Sequence, residues 1–174
     1  MIAAVDVARR LLGSVEKGTI PSKDLSAENI LASVAKGTAL LSEMFEKDGK
    51  ILHWRHHTLR LAHDLLATVP FAFQEPPPIL WHVGVEHAAA LLKGSDYMHP
   101  NPHPTKGEIL HLRGEHWSHL SVCEPTRDKR QHAHQNSIAD FAAALRIFCV
   151  ACGVDSMRTH HANARLKRER GKTL

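Results

Sequence analysis

Histidine and glutamate recur in a spacing that could hold a metal ion. The pattern His-x3-Glu-His appears twice, as His82, Glu86 and His87 and as His111, Glu115 and His116. On a helix, side chains four residues apart share one face, and imidazole nitrogens and carboxylate oxygens are common zinc ligands. Helical bundles build di-metal sites from such side chains. A histidine-rich metal-binding protein or metalloenzyme is therefore one hypothesis for this chain.

Other features of the sequence weigh against metal chemistry. The chain has fifteen histidines among 174 residues, so some pairs four residues apart are expected without any function. The pattern of known di-metal bundles, Glu-x-x-His on two helices with two further glutamates, is absent. His63-Asp64 is similar to the paired ligands of HD phosphohydrolases, but the candidate third ligands, His56 and His57, lie on the same predicted helix. We therefore expect no metal, no cofactor and no enzymatic activity.

Cysteine and glycine patterns agree with a non-enzymatic protein. Cys149 and Cys152 form a CxxC at the end of an apolar segment, whereas a redox motif normally begins a helix that follows a strand. We interpret the two as a buried thiol pair. Glycine-rich phosphate loops and a nucleophile elbow are absent, which argues against nucleotide-binding enzymes and common hydrolases.

Positive charge is concentrated at the C-terminus. The net charge is +4, but residues 158–174 alone carry six basic residues against one glutamate, and the remainder has 16 basic against 17 acidic residues. The six are Arg158, Arg165, Lys167, Arg168, Arg170 and Lys172. A nearly neutral body with a basic tail suggests an arm for a polyanion, and these residues are the predicted nucleic-acid contacts. A solvated, frayed C-terminus is the alternative interpretation.

Apolar residues at helical spacing predict an all-α protein of five or six helices. The predicted helices cover about 2–16, 26–48, 51–69, 79–93, 106–123 and 138–152. Proline-rich connections separate some of them, and no stretch shows sustained two-residue alternation. No apolar run reaches the roughly 18 residues that a membrane span needs. The N-terminus lacks the features of a signal peptide, so we expect an intracellular protein that does not insert into membranes.

Two of these helices, 51–69 and 106–123, are predicted to form a long hairpin with an insertion of about 70–105 at its tip. An apolar stripe marks each arm, and its members are Trp54, Leu61 and Leu65 on the first and Trp117 and Leu120 on the second. One hairpin cannot bury all these apolar faces, but two hairpins related by a two-fold axis form a four-helix bundle. We therefore expect a homodimer through these residues. The predicted domains are a helical assembly domain, 1–153, and a short basic tail, 154–174.

Four short stretches of the chain resemble the core (capsid) protein of hepadnaviruses and of their non-enveloped fish relatives, the nackednaviruses. The stretches are Ile20-Pro21-Ser22-Lys23-Asp24, Thr38-Ala39-Leu40-Leu41-Ser42-Glu43, His56-His57-Thr58-Leu59-Arg60 and Trp117-Ser118-His119-Leu120-Ser121-Val122-Cys123. They occur in the family's order and at similar spacing. The family's Tyr-Arg-Pro-Pro arm, which joins dimers, is not visible after Gly153, and its arginine-rich tail is much shorter here.

The resemblance implies a structural protein of a virion. A protein of this family would dimerise through the hairpin and assemble in the host cytoplasm into an icosahedral shell. The shell would enclose the viral nucleic acid, an RNA pregenome or DNA genome, and the viral polymerase would be a further partner.

Overall fold

The computed structural model describes residues 57–172 together with positions 32, 35–37 and 39. The elements of 57–172 are α1 (His57–Thr68), a 3-10 helix (Val69–Ala72), α2 (Pro78–Met98), α3 (Pro104–Cys123), α4 (Arg127–Cys152) and α5 (Met157–Arg170). These six helices, with no strand in the described residues, confirm the all-α prediction. None of them is both long and apolar enough to cross a bilayer. The predicted helix over 2–16 and Trp54 lie outside the described residues, as does the predicted helix over 26–48 apart from positions 32, 35–37 and 39, which are helical.

Short polar side chains begin the two C-terminal helices. The hydroxyl of Thr126 accepts a hydrogen bond from the Lys129 amide, and that of Ser156 accepts one from the Thr159 amide. Such caps satisfy amides that have no partner inside the helix. Gly153, with φ of +89°, ends α4 at the predicted place and lets the chain reverse into α5. The start of α4 was predicted near residue 138, and the cap explains why the helix begins a full eleven residues earlier.

Glycines on α3 allow α4 to pack closely against it. A Cβ atom built on Gly107 would lie 2.6 Å from the Phe148 ring, and one on Gly114 would lie 2.8 Å from the Phe141 ring. Both pairs are seven residues apart, so on two antiparallel helices the rings enter successive glycine notches. This pairing is the most extensive helix contact in the described chain. It forms the base on which the other helices lie.

The segment between α1 and α3 contains a full helix that contributes to the core. The prediction placed only a short helix, about 79–93, in a tip insertion, but α2 extends from Pro78 to Met98 and packs against both α1 and α3. Its buried side chains include Leu80, Trp81 and Leu91. Trp81 covers Leu120 of α3, which is fully buried within the single chain.

Residues 157–170 form a helix that packs on the body of the protein. We expected residues 165–174 to lie outside any helix, and this expectation is wrong because α5 continues to Arg170. Ala162, Leu166 and Glu169 are buried, and their spacing of four and three residues makes an inward face. The numerous charges of this segment hide that face in the sequence. The division into domains at residue 153 stays a prediction.

Candidate functional site

Three of the six predicted nucleic-acid contacts are engaged within the chain. The Arg165 guanidinium donates two hydrogen bonds to the Glu115 carboxylate, one of them 2.8 Å long, and a third of 2.9 Å to Glu169. Lys172 donates to Glu169 over 3.0 Å, and the exposed Arg158 pairs with Glu108 over 2.8 Å. Arg165 therefore fastens α5 to α3, and its charge is already neutralised.

Glu169 is the centre of this network. Its carboxylate is fully buried and also accepts hydrogen bonds of 2.9 Å from the Ser118 and Ser137 hydroxyls. Burial alone would raise the pKa of Glu169, but the hydrogen bonds from Lys172, Ser137 and Ser118 outweigh it and lower the pKa to about 2. The carboxylate is therefore ionised at neutral pH and joins α3, α4 and α5.

The other three predicted contacts, Lys167, Arg168 and Arg170, are exposed. The His134 ring lies 3.3 Å from the Glu169 carboxylate, so the first turns of α4 lie beside the last turn of α5. Arg127 and Lys129 of α4 are exposed there as well, with Asp128 between them. We call the five exposed cations Arg127, Lys129, Lys167, Arg168 and Arg170 the basic end. The contribution of α4 could not be predicted from the sequence, because only the antiparallel packing brings the two segments together.

Exposed apolar side chains surround the turn between α4 and α5. Val150, Val154 and Met157 are 73%, 65% and 83% exposed. We call these three residues the apolar tip. It lies at the other end of α5 from the basic end, and fourteen helical residues at about 1.5 Å each separate the two by roughly 20 Å. Three large apolar residues around a glycine turn are the sequence signal that could have indicated this surface.

The four predicted dimer residues that the structure describes lie in different surroundings. Leu61 is half-buried and lines a groove with Leu91 and Ile109, and Leu65 is half-buried on the same helix. Trp117 is half-buried elsewhere, against the cluster of Trp81, Leu120 and Ala133. Since Leu120 has no exposed surface in the single chain, it offers no contact to a partner in this conformation.

The two His-x3-Glu-His patterns do not converge on one point. His82 pairs with Glu124 over 2.6 Å, whereas His87 is buried with its Nδ1 atom 2.8 Å from that of His63. His111 lies 3.6 Å from Glu115, whose carboxylate is occupied by an arginine. Among the residues that the structure describes, no group of three or more histidine, cysteine, aspartate or glutamate side chains could hold a metal ion.

The arrangement as a whole has two distinct exposed surfaces. It offers a surface for apolar contact at one end of the α4–α5 pair and a surface for a polyanion at the other. Comparison with family models, with curated proteins and with solved structures gave no match.

Proposed function

We propose that this chain is a capsid-type protein, which associates with copies of itself into a shell and packages nucleic acid. The single observation that carries the proposal is the separation of the apolar tip from the basic end. A shell subunit needs protein contacts on one part of its surface and a polyanion contact on another. The proposal also agrees with the resemblance to hepadnavirus and nackednavirus core proteins.

The apolar tip supports self-association. Three large apolar side chains within eight residues, each more than half exposed, form a surface that loses contact with water when a second protein covers it. Burial of one such side chain contributes about 1.5 to 3 kcal/mol. Contacts of this modest size are sufficient for a shell, because each subunit makes several of them.

The basic end supports nucleic-acid binding. Lys167, Arg168 and Arg170 extend from a helix that Glu169 and Arg165 hold in place, and Arg127 and Lys129 add to the same end. Lysine and arginine contacts with phosphates do not read base sequence, and their strength falls as salt rises. Binding should therefore tolerate any sequence, as packaging requires.

We keep a homodimer through α1 and α3 in the proposal, with fewer of the predicted contact residues. Leu61, Leu65 and Trp117 are only half-buried, so each retains surface that a partner could cover. Leu120 is no longer one of the proposed dimer contacts, because α2 and α4 already bury it. We assign the contacts between dimers to the apolar tip, because the proline-rich arm that joins dimers in the resembled family is not visible in this chain.

Light scattering and negative-stain microscopy of the purified full-length chain test the proposal. We expect regular particles far larger than the 19.4 kDa chain. The variant Met157→Glu should not form them, because it places a charge in the apolar tip. A glutamate at the first position of α5 is favourable for the helix, so the fold should be retained. Ala139→Glu, at an exposed position on α4, is the matched control and should assemble normally.

A chain that stays monomeric at all concentrations would contradict the proposal. Elemental analysis of the same samples separates it from the metalloprotein hypothesis, because that hypothesis requires stoichiometric zinc, iron or manganese in a small soluble species.

A further inference from the structure

An aromatic groove lies beside the C-terminal end of α3. It has a volume of about 270 Å³, and its lining includes Phe71, Phe73, Trp81, His119 and Val122. Phe71 is 45% exposed and Val122 is 71% exposed, so the groove opens to solvent. It is separate from the apolar tip, which surrounds the opposite end of α4.

The rings of this groove are held in fixed positions. His119 stacks on Trp81 with the two planes 1° apart and the centroids separated by 4.0 Å. Phe71 meets the same Trp81 ring edge-on at 5.2 Å. Trp81 is itself almost fully buried under these two rings. Phe71 and His119 are therefore two partly exposed rings in fixed positions, with centroids 6.1 Å apart and planes at 72° to each other, and we call this pair the aromatic platform.

Cations at the C-terminal end of α5 and just after it border the platform on one side. The Lys172 ammonium donates a hydrogen bond of 2.6 Å to the hydroxyl of Ser118, which precedes His119 in the chain. Arg168 is exposed and lies in the last turn of α5, four residues before Lys172. The positive charge of Lys172 therefore lies near His119, and His119 in turn lies beside Phe71 of the 3-10 helix.

The charge state of His119 suits stacking. Burial lowers the pKa of His119, and the charges of Lys172 and Arg165 lower it further, although Glu115 and Glu169 act in the opposite direction. The ring is therefore neutral at pH 7. A neutral ring can stack on a base, and the exposed Arg168 is the cation of this segment that remains available for a phosphate.

We propose that this groove binds single-stranded nucleic acid, with bases stacked on Phe71 and His119 and a phosphate beside Arg168. Aromatic rings beside cations are the usual means of binding single strands without reading sequence. A duplex keeps its bases stacked on one another and cannot use the platform. The inference rests on the proposed function for the class of partner, and it adds the strand state and the residues that recognise it.

The test is fluorescence anisotropy of the full-length protein with a labelled 20-nucleotide RNA, DNA of the same sequence, and the corresponding duplex. Phe71→Leu keeps an apolar side chain but removes the ring, and we expect it to weaken single-strand binding about tenfold, since stacking contributes about 1–3 kcal/mol per base. Duplex binding should change little. Tyr97→Leu is the matched control, since Tyr97 is an exposed ring at the opposite end of α2.

A charge variant tests the contribution of the cations beside the platform. Arg168→Gln should weaken single-strand and duplex binding alike and reduce the slope of log affinity against log salt by about one. Arg146→Gln, at an exposed position near the far end of α4, is its control. Val122→Glu adds a negative charge to the groove from an exposed position and should also weaken single-strand binding, which keeps the test valid if Phe71→Leu misfolds.

The outcomes separate the inference from the proposed function. If Arg168→Gln weakens binding while Phe71→Leu and Val122→Glu do not, the groove is not the base site and the packaging proposal stands. If Phe71→Leu removes self-association and leaves nucleic-acid affinity unchanged, the groove is occupied by a second copy, and the inference is overturned. If no probe binds the unmodified chain, both the inference and the packaging proposal fail.

Discussion

The Nδ1 atoms of His63 and His87 lie 2.8 Å apart in the buried contact between α1 and α2. At that distance one ring donates a proton and the other must accept it, so both cannot be protonated without a clash of donors. Burial lowers the pKa of His63 to about 4, and burial with the neighbouring His63 lowers that of His87 to about 3. His116, on α3, is fully buried and has a pKa lowered to about 4, chiefly by burial. The α1–α2–α3 contact is thus built around three neutral imidazoles.

Acid should destabilise the protein in a window set by these histidines. Their pKa values are lower in the folded chain than the ordinary value of 6.5, so the unfolded chain binds more protons. The contribution of these histidines to stability is therefore nearly constant above pH 7 and falls as the pH decreases toward 3. The loss at pH 4.5 is about 2.5 kcal/mol for each histidine. Urea unfolding at pH 7 and pH 4.5 measures it.

A single variant separates these histidines from the other titrating groups. His116→Leu removes one of them, so its stability should fall less steeply between pH 6.5 and pH 4.5, whatever its stability at pH 7. His160→Gln removes an exposed histidine and should leave the slope unchanged. A stability that is flat from pH 7 to pH 4.5 in the unmodified chain would show that the three imidazoles are not held neutral.

The glycine notches of α3 should not tolerate a methyl group. Gly114→Ala places a Cβ atom 2.8 Å from the Phe141 ring, which is fully buried and cannot move aside. We expect a loss of about 1–3 kcal/mol in the free energy of unfolding. Gly171→Ala is the control, because its Cβ atom would meet only ordinary contacts at 3.6 Å. Equal stability of the two variants would mean that α3 and α4 are not packed as closely as described.

Breaking the Glu169 network should lower the free energy of unfolding far more than breaking the exposed ion pair between Arg158 of α5 and Glu108. Glu169→Gln keeps the shape of the side chain but leaves Arg165 and Lys172 without the buried charge that they share. We expect a loss of about 3 kcal/mol at pH 7, as is typical for breaking a buried pair. Glu108→Gln breaks the exposed pair with Arg158 and should cost less than about 1 kcal/mol.

The pH dependence of Glu169→Gln gives a second check. Because the pKa of Glu169 is lowered to about 2, its stabilising contribution is present above pH 4.5 and is lost as the pH falls toward 2. The variant should lack that dependence. This window overlaps the lower end of the histidine window, because the pKa of His87 is about 3. The difference between the variant and the unmodified chain at each pH therefore isolates the Glu169 contribution.

Helix class and several helix ends could be predicted from the sequence, because they depend on local signals. Pro70 and Gly153 stop or redirect the chain where expected. The extent of α5 could not be predicted, since its inward face consists of Ala162, Leu166 and a glutamate. A buried Glu169 is understandable only when the groups that bind it, from three different helices, are known.

The candidate site was predictable only in part for the same reason. The charge of residues 158–174 indicated a basic surface, but the sequence could not show that the Arg165 guanidinium is already paired with the Glu115 carboxylate. A deletion of residues 165–174, which the sequence alone suggests as the test of packaging, would remove this anchor and unpack α5. Neutralising the exposed cations is the better experiment.

Sedimentation velocity recorded at 260 and 280 nm, with the unmodified chain and two variants, tests whether the apolar tip assembles the shell while the basic end binds nucleic acid. Met157→Glu alters the apolar tip, and the triple change Lys167→Gln, Arg168→Gln and Arg170→Gln alters the basic end. The tip variant should sediment as a small species that still binds added RNA. The basic-end variant should sediment as shells with little absorbance at 260 nm. Shells and nucleic acid lost together in both variants, or retained together in both, would contradict the separation of the two surfaces.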